Sequence, residues 1–454
     1  MNKDVLVLGA GISGLATAYW LKKEGFNVKI LERNDEPGGA METINENGFL
    51  IDFGPNSGLE TTPLIAQLAE EIGIKDQMIY ANEAANIRYI LKNNQLMPLP
   101  TSPQAFLKTN LFSAKAKLRL MAEPFIGKSN DGYYQSMSEF VVRRLGQEFL
   151  DYAIDPFVSG VFAGDPSKLS VKSAFPKLYR LEEIYGGLIK GTIKGARERK
   201  KNKEKSKQSA KMFSFINGMQ TFPKAISNQL SDIEYNNQLK KIEKLSKGFK
   251  VYYSKNGEEK SIETEILLST IPAYVLSSLI NFDDNLKSHL NDIYYPPVMV
   301  LYLGFDKKDI NRELDGFGYL IPSKEKKSYL GAIWSSTIFP NRAEQDKASF
   351  TLFIGGARSP HLFESDKDKL IDKVLNEFKQ VTSISGDPVI IRHKLWNKAI
   401  PQYNIGYIEH ERYFEQFEKE NKGFFLSGNY RGGISVGDCV KNSEITFKRI
   451  VNNV

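Results

Sequence analysis

Val5-Leu6-Val7-Leu8-Gly9-Ala10-Gly11-Ile12-Ser13-Gly14 runs from a short apolar segment into a glycine-rich turn. Four consecutive apolar residues suit a strand buried on both faces. Leu15-Ala16-Thr17-Ala18-Tyr19-Trp20-Leu21 continues at helical spacing, and Gly25 fits the stop. A second apolar run over 28–31 ends in Glu32. Strand, glycine turn, helix, strand and a closing acid together predict a Rossmann-like α/β unit that binds a dinucleotide. Gly9 allows the tight turn, Gly11 puts no side chain between backbone and pyrophosphate, and Gly14 lets helix and strand pack closely. The free N–H groups and positive end of the helix face the phosphates. Glu32 can accept hydrogen bonds from both ribose hydroxyls. An ordinary βαβ unit with an incidental glycine turn would share the first half of this pattern, and the acid is what separates the two readings.

Beyond Glu32 come Arg33 and then Pro37-Gly38-Gly39-Ala40. A second glycine pair is not needed for NAD. It makes sense where a larger cofactor runs on past the first loop with backbone packed against it, although Gly38-Gly39 alone would pass for a surface turn. Gly54-Pro55-Asn56-Ser57 adds another tight turn. The pattern resembles the FAD fingerprint of the glutathione-reductase-like flavoproteins, in their amine oxidase branch.

With 454 residues the chain can form two or three domains. Its net charge of +7 is mild, and much of it sits in the basic stretch 190–211, which reads as a solvated helix end or loop. That stretch has no interleaved aromatic residue, so nucleic-acid binding is not expected, while attraction to anionic lipid is open. The single cysteine, Cys439, excludes an internal disulfide and a thiolate cluster. His289, His361, His393 and His410 show no metal-ligand spacing, so each reads as a surface or structural residue. A reducing, cytosol-facing compartment is the default. Lys3 before an apolar run has the outline of a signal peptide, but Asp4, the glycines and the lack of an A-x-A site argue against one. No run of ~18 apolar residues would span a membrane.

Downstream, a helix is expected over 63–72 and a strand pair over 86–100 around Asn93-Asn94. The pattern over 101–195 is mostly helical, with Ser136 and Glu139 forming a capping box. The βα pattern returns from 213, strands dominate 294–356, and a helix follows at 366–380. Gly428-Asn429-Tyr430-Arg431-Gly432-Gly433 forms a second strand-to-helix junction.

Several separate stretches together resemble one family, the FAD-dependent protoporphyrinogen oxidases of haem synthesis. They include 54–57, Pro98-Leu99-Pro100-Thr101-Ser102-Pro103, Phe157-Val158-Ser159-Gly160-Val161-Phe162-Ala163-Gly164-Asp165-Pro166, Tyr295-Pro296-Pro297-Val298, Phe339-Pro340-Asn341-Arg342, Ile400-Pro401-Gln402-Tyr403 and the 428–433 turn. The resemblance implies a discontinuous FAD domain (1–85, 213–290 and 391–454), a sheet-based substrate domain (86–100 and 291–390) and a helical, membrane-associated insert (101–212). It implies oxidation of protoporphyrinogen IX to protoporphyrin IX in three two-electron steps, with FAD reoxidised by O2 to give H2O2. Coproporphyrinogen III, with four propionates instead of two, is the alternative substrate. An amine oxidase, a carotenoid desaturase or a non-catalytic flavin protein on the same fold is a further one.

By position, the resemblance makes Gly9, Gly11, Ser13, Gly14, Glu32, Arg33, Gly39, Ala40, Gly54, Pro55, Asn56, Ser57, Leu239, Trp396, Gly428, Gly433, Ile434 and Val436 contacts of FAD. Arg88 would meet a substrate carboxylate, the Gly160 carbonyl would face the pyrrole N–H groups, and Leu320 and Phe339 would sandwich the tetrapyrrole. Leu320 and Phe339 would equally serve as core residues, and Arg88 as a surface residue. No catalytic acid, base or nucleophile and no metal is expected, because the flavin supplies the chemistry. Implied partners are the porphyrinogen, O2, a membrane surface touched peripherally and a downstream chelatase that takes the product. The implied location is the cytoplasm or the cytoplasmic face of the inner membrane.

Overall fold

The computed structural model describes residues 4–201 and 210–453. Within them, a parallel sheet runs in the order Ile233–Glu234, Asn27–Leu31, Asp4–Leu8, Ile266–Ser269, Phe424–Leu426. The central strand is buried on both faces, as its unbroken apolar run predicts. Val5 and Val7 join a core under the helices Ile12–Lys23 and Val436–Asn453. Leu6 and Leu8 join another on the opposite face. That second core is closed by the antiparallel meander Asn237–Lys244, Phe249–Lys255, Glu258–Thr264 and by the helix Tyr407–Glu420.

A mixed sheet forms the second body, in the order Ile390–Trp396, Val298–Asp306, Lys347–Gly355, Gly331–Ile333, Gly316–Leu320, Ile87–Lys92, Gln95–Pro98. The helix Lys367–Thr382 covers it with Leu370, Val374 and Phe378. The strand Ile390–Trp396 falls almost wholly in the 391–454 segment assigned to the FAD domain, yet it pairs antiparallel with Val298–Asp306 in this sheet. Seven registered residue pairs hold it there, from Val298 opposite Trp396 to Gly304 opposite Ile390.

The helical insert begins with Pro103–Lys108 and ends with Leu188–Lys201. Its centre is charged. Arg144, fully buried, donates to Glu123 at 2.6 Å and also to Glu182, both equally buried. The Glu123 carboxylate also accepts the N–H groups of Leu188 (2.7 Å) and Ile189 (3.1 Å), capping the last helix of the insert. The capping box at Ser136 and Glu139 forms. Of the basic stretch, the helix extends to Lys201, and 202–209 lie outside the described residues. Among the described residues no helix is long and apolar enough to cross a membrane, and no cluster of His, Cys, Asp and Glu could hold a metal. The histidines are less scattered than their numbering implies. His289 and His410 meet through their Nδ1 atoms at 2.9 Å, where two helices distant in sequence pack together.

Candidate active site

The glycine turns close on one another. Gly9 has φ +99°, and a Cβ on Gly14 would sit 2.2 Å from the Gly9 carbonyl oxygen. The Gly38 N–H donates to the Ala10 carbonyl at 2.9 Å, a Cβ on Gly39 would lie 3.3 Å from the Gly11 Cα, and one on Gly54 would lie 1.8 Å from the Ala40 carbonyl oxygen. Three loops thus meet at separations that only glycine permits. They surround the start of the helix Ile12–Lys23, which carries no side-chain cap, so its first N–H groups remain available to an anion.

Glu32 is buried, and each carboxylate oxygen accepts one backbone N–H, from Ala10 (2.7 Å) and from Asn34 (2.9 Å). Each keeps acceptor capacity for a ribose hydroxyl. The backbone carbonyl of Glu32 accepts the Asn237 N–H at 2.8 Å, which brings the strand carrying Leu239 to this end of the site. Arg33 is exposed beside Tyr274, whose phenol burial pushes up and the Arg33 charge pulls partly back. Gly39 and Ala40 are exposed on the same loop.

The other end is set by later parts of the chain. The Trp396 indole donates to the Phe53 carbonyl at 2.8 Å, holding the entry to the 54–57 turn. Asn56 and Ser57 line a cleft with Phe317, Ile333, Phe339 and Arg342. Gly428 and Gly433 have φ of +122° and +137°. Ile434 packs between two cores, and Val436 begins the last helix, in which the Ser443 hydroxyl donates to the Ser13 carbonyl at 3.1 Å. Cys439 is buried beside the Gly433 carbonyl, and burial pushes its thiol up to about 11. It therefore stays a thiol at neutral pH and is a poor nucleophile. The uncapped helix, the glycine cradle and the acceptors of Glu32 all fit FAD.

Among the residues matched to substrate, Gly160 and Leu320 meet. A Cβ on Gly160 would be 2.7 Å from the Leu320 Cδ2. Gly160 lies near the end of the helix Asp155–Phe162, where Ala163 turns left-handed and the Gly164 N–H reaches back to the Val158 carbonyl at 3.5 Å. The Gly160 carbonyl is left without the donor a continuing helix would supply, and the residue is exposed, so it can accept an N–H from a ligand. Arg88 stands opposite Gly318 in the sheet, exposed, with its guanidinium 5.4 Å from the Phe317 ring centre. No carboxylate among the described residues pairs with it. Phe339 is buried, and Phe317 shares the cleft with it and a strand with Leu320.

Sequence reasoning passed over Asp52 and Arg342, which pair in the cleft wall, and Tyr403, Tyr407 and Glu411, which hold the 428–433 turn. The Phe-Pro-Asn-Arg motif did contain Arg342, and the Ile-Pro-Gln-Tyr motif did contain Tyr403, with no role given to either. The spacing of four between Tyr403, Tyr407 and Glu411 is the signal that could have found the rest.

Residues 12–444 match the family described as flavin containing amine oxidoreductase. The chain belongs to that family. It is 33% identical over 474 residues to protoporphyrinogen oxidase 2, chloroplastic/mitochondrial, of Arabidopsis thaliana, covering 97% of this chain and 92% of the relative. It is 26% identical over 454 residues to coproporphyrinogen III oxidase of Bacillus subtilis (strain 168), covering 97% and 96%. Among solved structures, an Exiguobacterium sp. 255-15 protein assigned to the protoporphyrinogen oxidases superposes with a TM-score of 0.83 at 20% identity, covering 99% of both chains. A putrescine oxidase superposes with a TM-score of 0.72 at 14% identity over the whole of both chains. These two likenesses establish the fold, and membership of the family makes the protein an FAD-dependent oxidoreductase.

Proposed function

We propose that the protein oxidises protoporphyrinogen IX to protoporphyrin IX in haem synthesis, with O2 as final acceptor and H2O2 as by-product. The full-length relationship to a protoporphyrinogen oxidase at 33% identity carries the reading. The cleft supports it through the apolar and aromatic part of its lining, Leu50, Tyr302, Phe317, Ile333, Ile338 and Phe339. Bound FAD supplies the two-electron acceptor at each step. The residues themselves bind and shield the macrocycle. Leu320 and Phe339 offer apolar faces, the Gly160 carbonyl accepts a pyrrole N–H, and Arg88 takes a propionate in a two-pronged pair. The glycine cradle and Glu32 fix the dinucleotide, so that the ring meets the macrocycle in one orientation.

Coproporphyrinogen III is the second reading. It is favoured by the relationship to the Bacillus subtilis enzyme and by the openness of Arg88 to solvent, which leaves room for further carboxylates. H2O2 release by the purified protein, measured with each porphyrinogen in turn, decides between them. No H2O2 from either substrate would sink both.

The protein works against a membrane in this reading, on the cytoplasmic face, and passes its product to a chelatase. The insert supports this, because it exposes Leu107, Leu118, Met121 and Phe125 close to Lys108, Lys115 and Lys117. The three-part division of the chain into flavin, substrate and membrane-facing segments belongs to the same reading.

A further inference from the structure

The turn expected to meet the flavin ring is held from behind at four backbone groups. The Tyr403 hydroxyl donates to the Asn429 carbonyl at 2.7 Å and accepts the Gly433 N–H at 2.8 Å. The Tyr407 hydroxyl donates to the Tyr430 carbonyl at 2.5 Å. The Glu411 carboxyl, raised by burial, faces the Gly432 N–H, which favours its charged form. The two tyrosine rings stack at 4.3 Å, and both are buried. Three side chains at intervals of four residues therefore engage the Asn429 and Tyr430 carbonyls and the Gly432 and Gly433 N–H groups of the turn.

Tyr403 also touches the substrate side. Its ring meets Phe162 edge-on at 6.1 Å, and Phe162 follows Gly160 by two residues on the same helix. The neighbouring Gln402 amide donates to the Phe162 carbonyl at 2.9 Å. One short segment thus lies between the helix that presents Gly160 and the turn that faces the flavin.

We propose that Tyr403, Tyr407 and Glu411 form a bracket that sets the 428–433 turn in register with the Gly160 helix, with Tyr403 as the positioning residue common to both. The inference rests on the reading of that turn as a flavin contact. Hydride transfer requires reacting atoms about 3–3.5 Å apart, so a bracket of this kind controls rate as well as affinity.

The test uses the full-length holoprotein and the variants Tyr403→Phe, Glu411→Ala and Glu411→Gln. FAD release is followed by the rise in flavin fluorescence on dilution, and kcat and KM by H2O2 formation. Tyr403→Phe removes both hydrogen bonds and keeps the ring. It is expected to weaken FAD binding about tenfold. It should also lower kcat with KM for the porphyrinogen unchanged. Glu411→Ala should weaken FAD similarly, and Glu411→Gln, which keeps an acceptor oxygen, should restore it. A residue with only a structural part would lower thermal stability without splitting kcat from KM and without the rescue by glutamine. If Tyr403→Phe fails to fold, the alanine and glutamine pair decides alone. Wild-type FAD affinity and kcat in both Tyr403→Phe and Glu411→Ala would overturn the bracket. A wild-type chain that takes up no FAD would overturn the flavin reading of the turn, and the bracket with it.

Discussion

Asp52 and Arg342 form an ion pair of 3.2 Å with both side chains almost fully sealed from solvent. Asp52 closes the first hairpin of the nucleotide-binding segment, and Arg342 belongs to the Phe-Pro-Asn-Arg motif of the substrate body. Asp52 also accepts the Thr43 hydroxyl (2.6 Å) and the Met219 N–H (2.9 Å). Arg342 reaches the Phe215 carbonyl at 3.3 Å, and its guanidinium lies 5.3 Å from the Phe339 ring centre. The pair therefore pins Phe339 and the cleft wall to the flavin-binding side. Burial pushes the Asp52 carboxyl up, and the Arg342 charge pulls it partly back.

Breaking one side of this pair leaves a buried charge alone. Arg342→Leu is expected to destabilise the protein by ~3–5 kcal/mol. Asp52→Leu should do the same, and the double variant should lose less than the sum of the two, because no lone charge remains. Urea unfolding of the four proteins measures this. Additive losses would show that the two side chains do not depend on each other.

Two glycines should respond to alanine in opposite ways. A Cβ on Gly14 meets a backbone oxygen at 2.2 Å, which cannot move without opening the cradle. Gly14→Ala should abolish FAD retention. A Cβ on Gly160 meets only the end of the flexible Leu320 side chain, which can turn aside. Gly160→Ala should keep its FAD and melt within about 1 kcal/mol of wild type, since a flexible side chain absorbs the added methyl. It should raise KM for the porphyrinogen, because Leu320 then occupies substrate space. Equal flavin loss in both variants would refute the distinction.

The flavin half of the molecule was largely legible in sequence because its chemistry is written in glycines. A left-handed φ at Gly9 and the close approaches at Gly14, Gly39 and Gly54 leave few alternatives. What stayed hidden depends on tertiary contact. Nothing local to Asp52 names Arg342 as its partner, and His289 gives no sign of His410. The helix Tyr407–Glu420 carries no apolar run; its buried positions, Tyr407, Phe414 and Phe417, are aromatics spread among charges. The bracket behind the 428–433 turn left one trace in sequence, the spacing of four between Tyr403, Tyr407 and Glu411. In the strand Ile87–Lys92, Tyr89 and Leu91 enter one core and Ile90 another, and strand alternation puts Arg88 on the Ile90 side.

The histidine pair should make stability depend on pH. Burial, helped by the neighbouring His289, holds the His410 imidazole below its ordinary value of 6.5. The unfolded chain then binds the proton more readily than the folded one, so stability is full above about pH 6.5 and falls as pH drops toward the folded value. Asp283, Asp292, Glu409, Tyr407 and Tyr413 surround the pair and keep their own contributions in a variant. Glu411 and Glu418, raised by burial, act in the opposite sense, gaining relative stability as pH falls. His410→Phe should therefore lose less melting temperature between pH 7.5 and 5.5 than wild type does. An identical loss would exclude His410 as the cause.

The exposed apolar face of the insert should bind lipid. Phe125 is 89% exposed and Leu118 67%, on the helix Ala114–Met121 and the turn after it. Burying one such side chain gains ~1.5–3 kcal/mol, or roughly 10- to 150-fold in partition. Leu118→Glu with Phe125→Glu should abolish co-sedimentation with anionic liposomes at low salt and leave FAD content unchanged. Wild-type protein that never sediments with the liposomes would remove the membrane from the proposed function.

Arg88 gives the sharpest test of the substrate itself. Its strand neighbours Tyr89 and Ile90 are buried, yet Arg88 is exposed, with its guanidinium over the ring of Phe317, a residue of the cleft lining, and no carboxylate partner among the described residues. A propionate supplies that partner. In a partly wet site the charge-assisted pair contributes ~1–3 kcal/mol, so Arg88→Ala should lower kcat/KM by roughly 5- to 150-fold. The loss should fall on KM, because the carboxylate is remote from the carbon that gives up hydride. Arg88→Lys should recover only part, since the planar fork is lost. A dicarboxylate substrate has few other anchors and should suffer more than a tetracarboxylate one. If Arg88→Ala keeps full FAD and wild-type kcat/KM on both porphyrinogens, Arg88 is a surface residue and the propionate binds elsewhere.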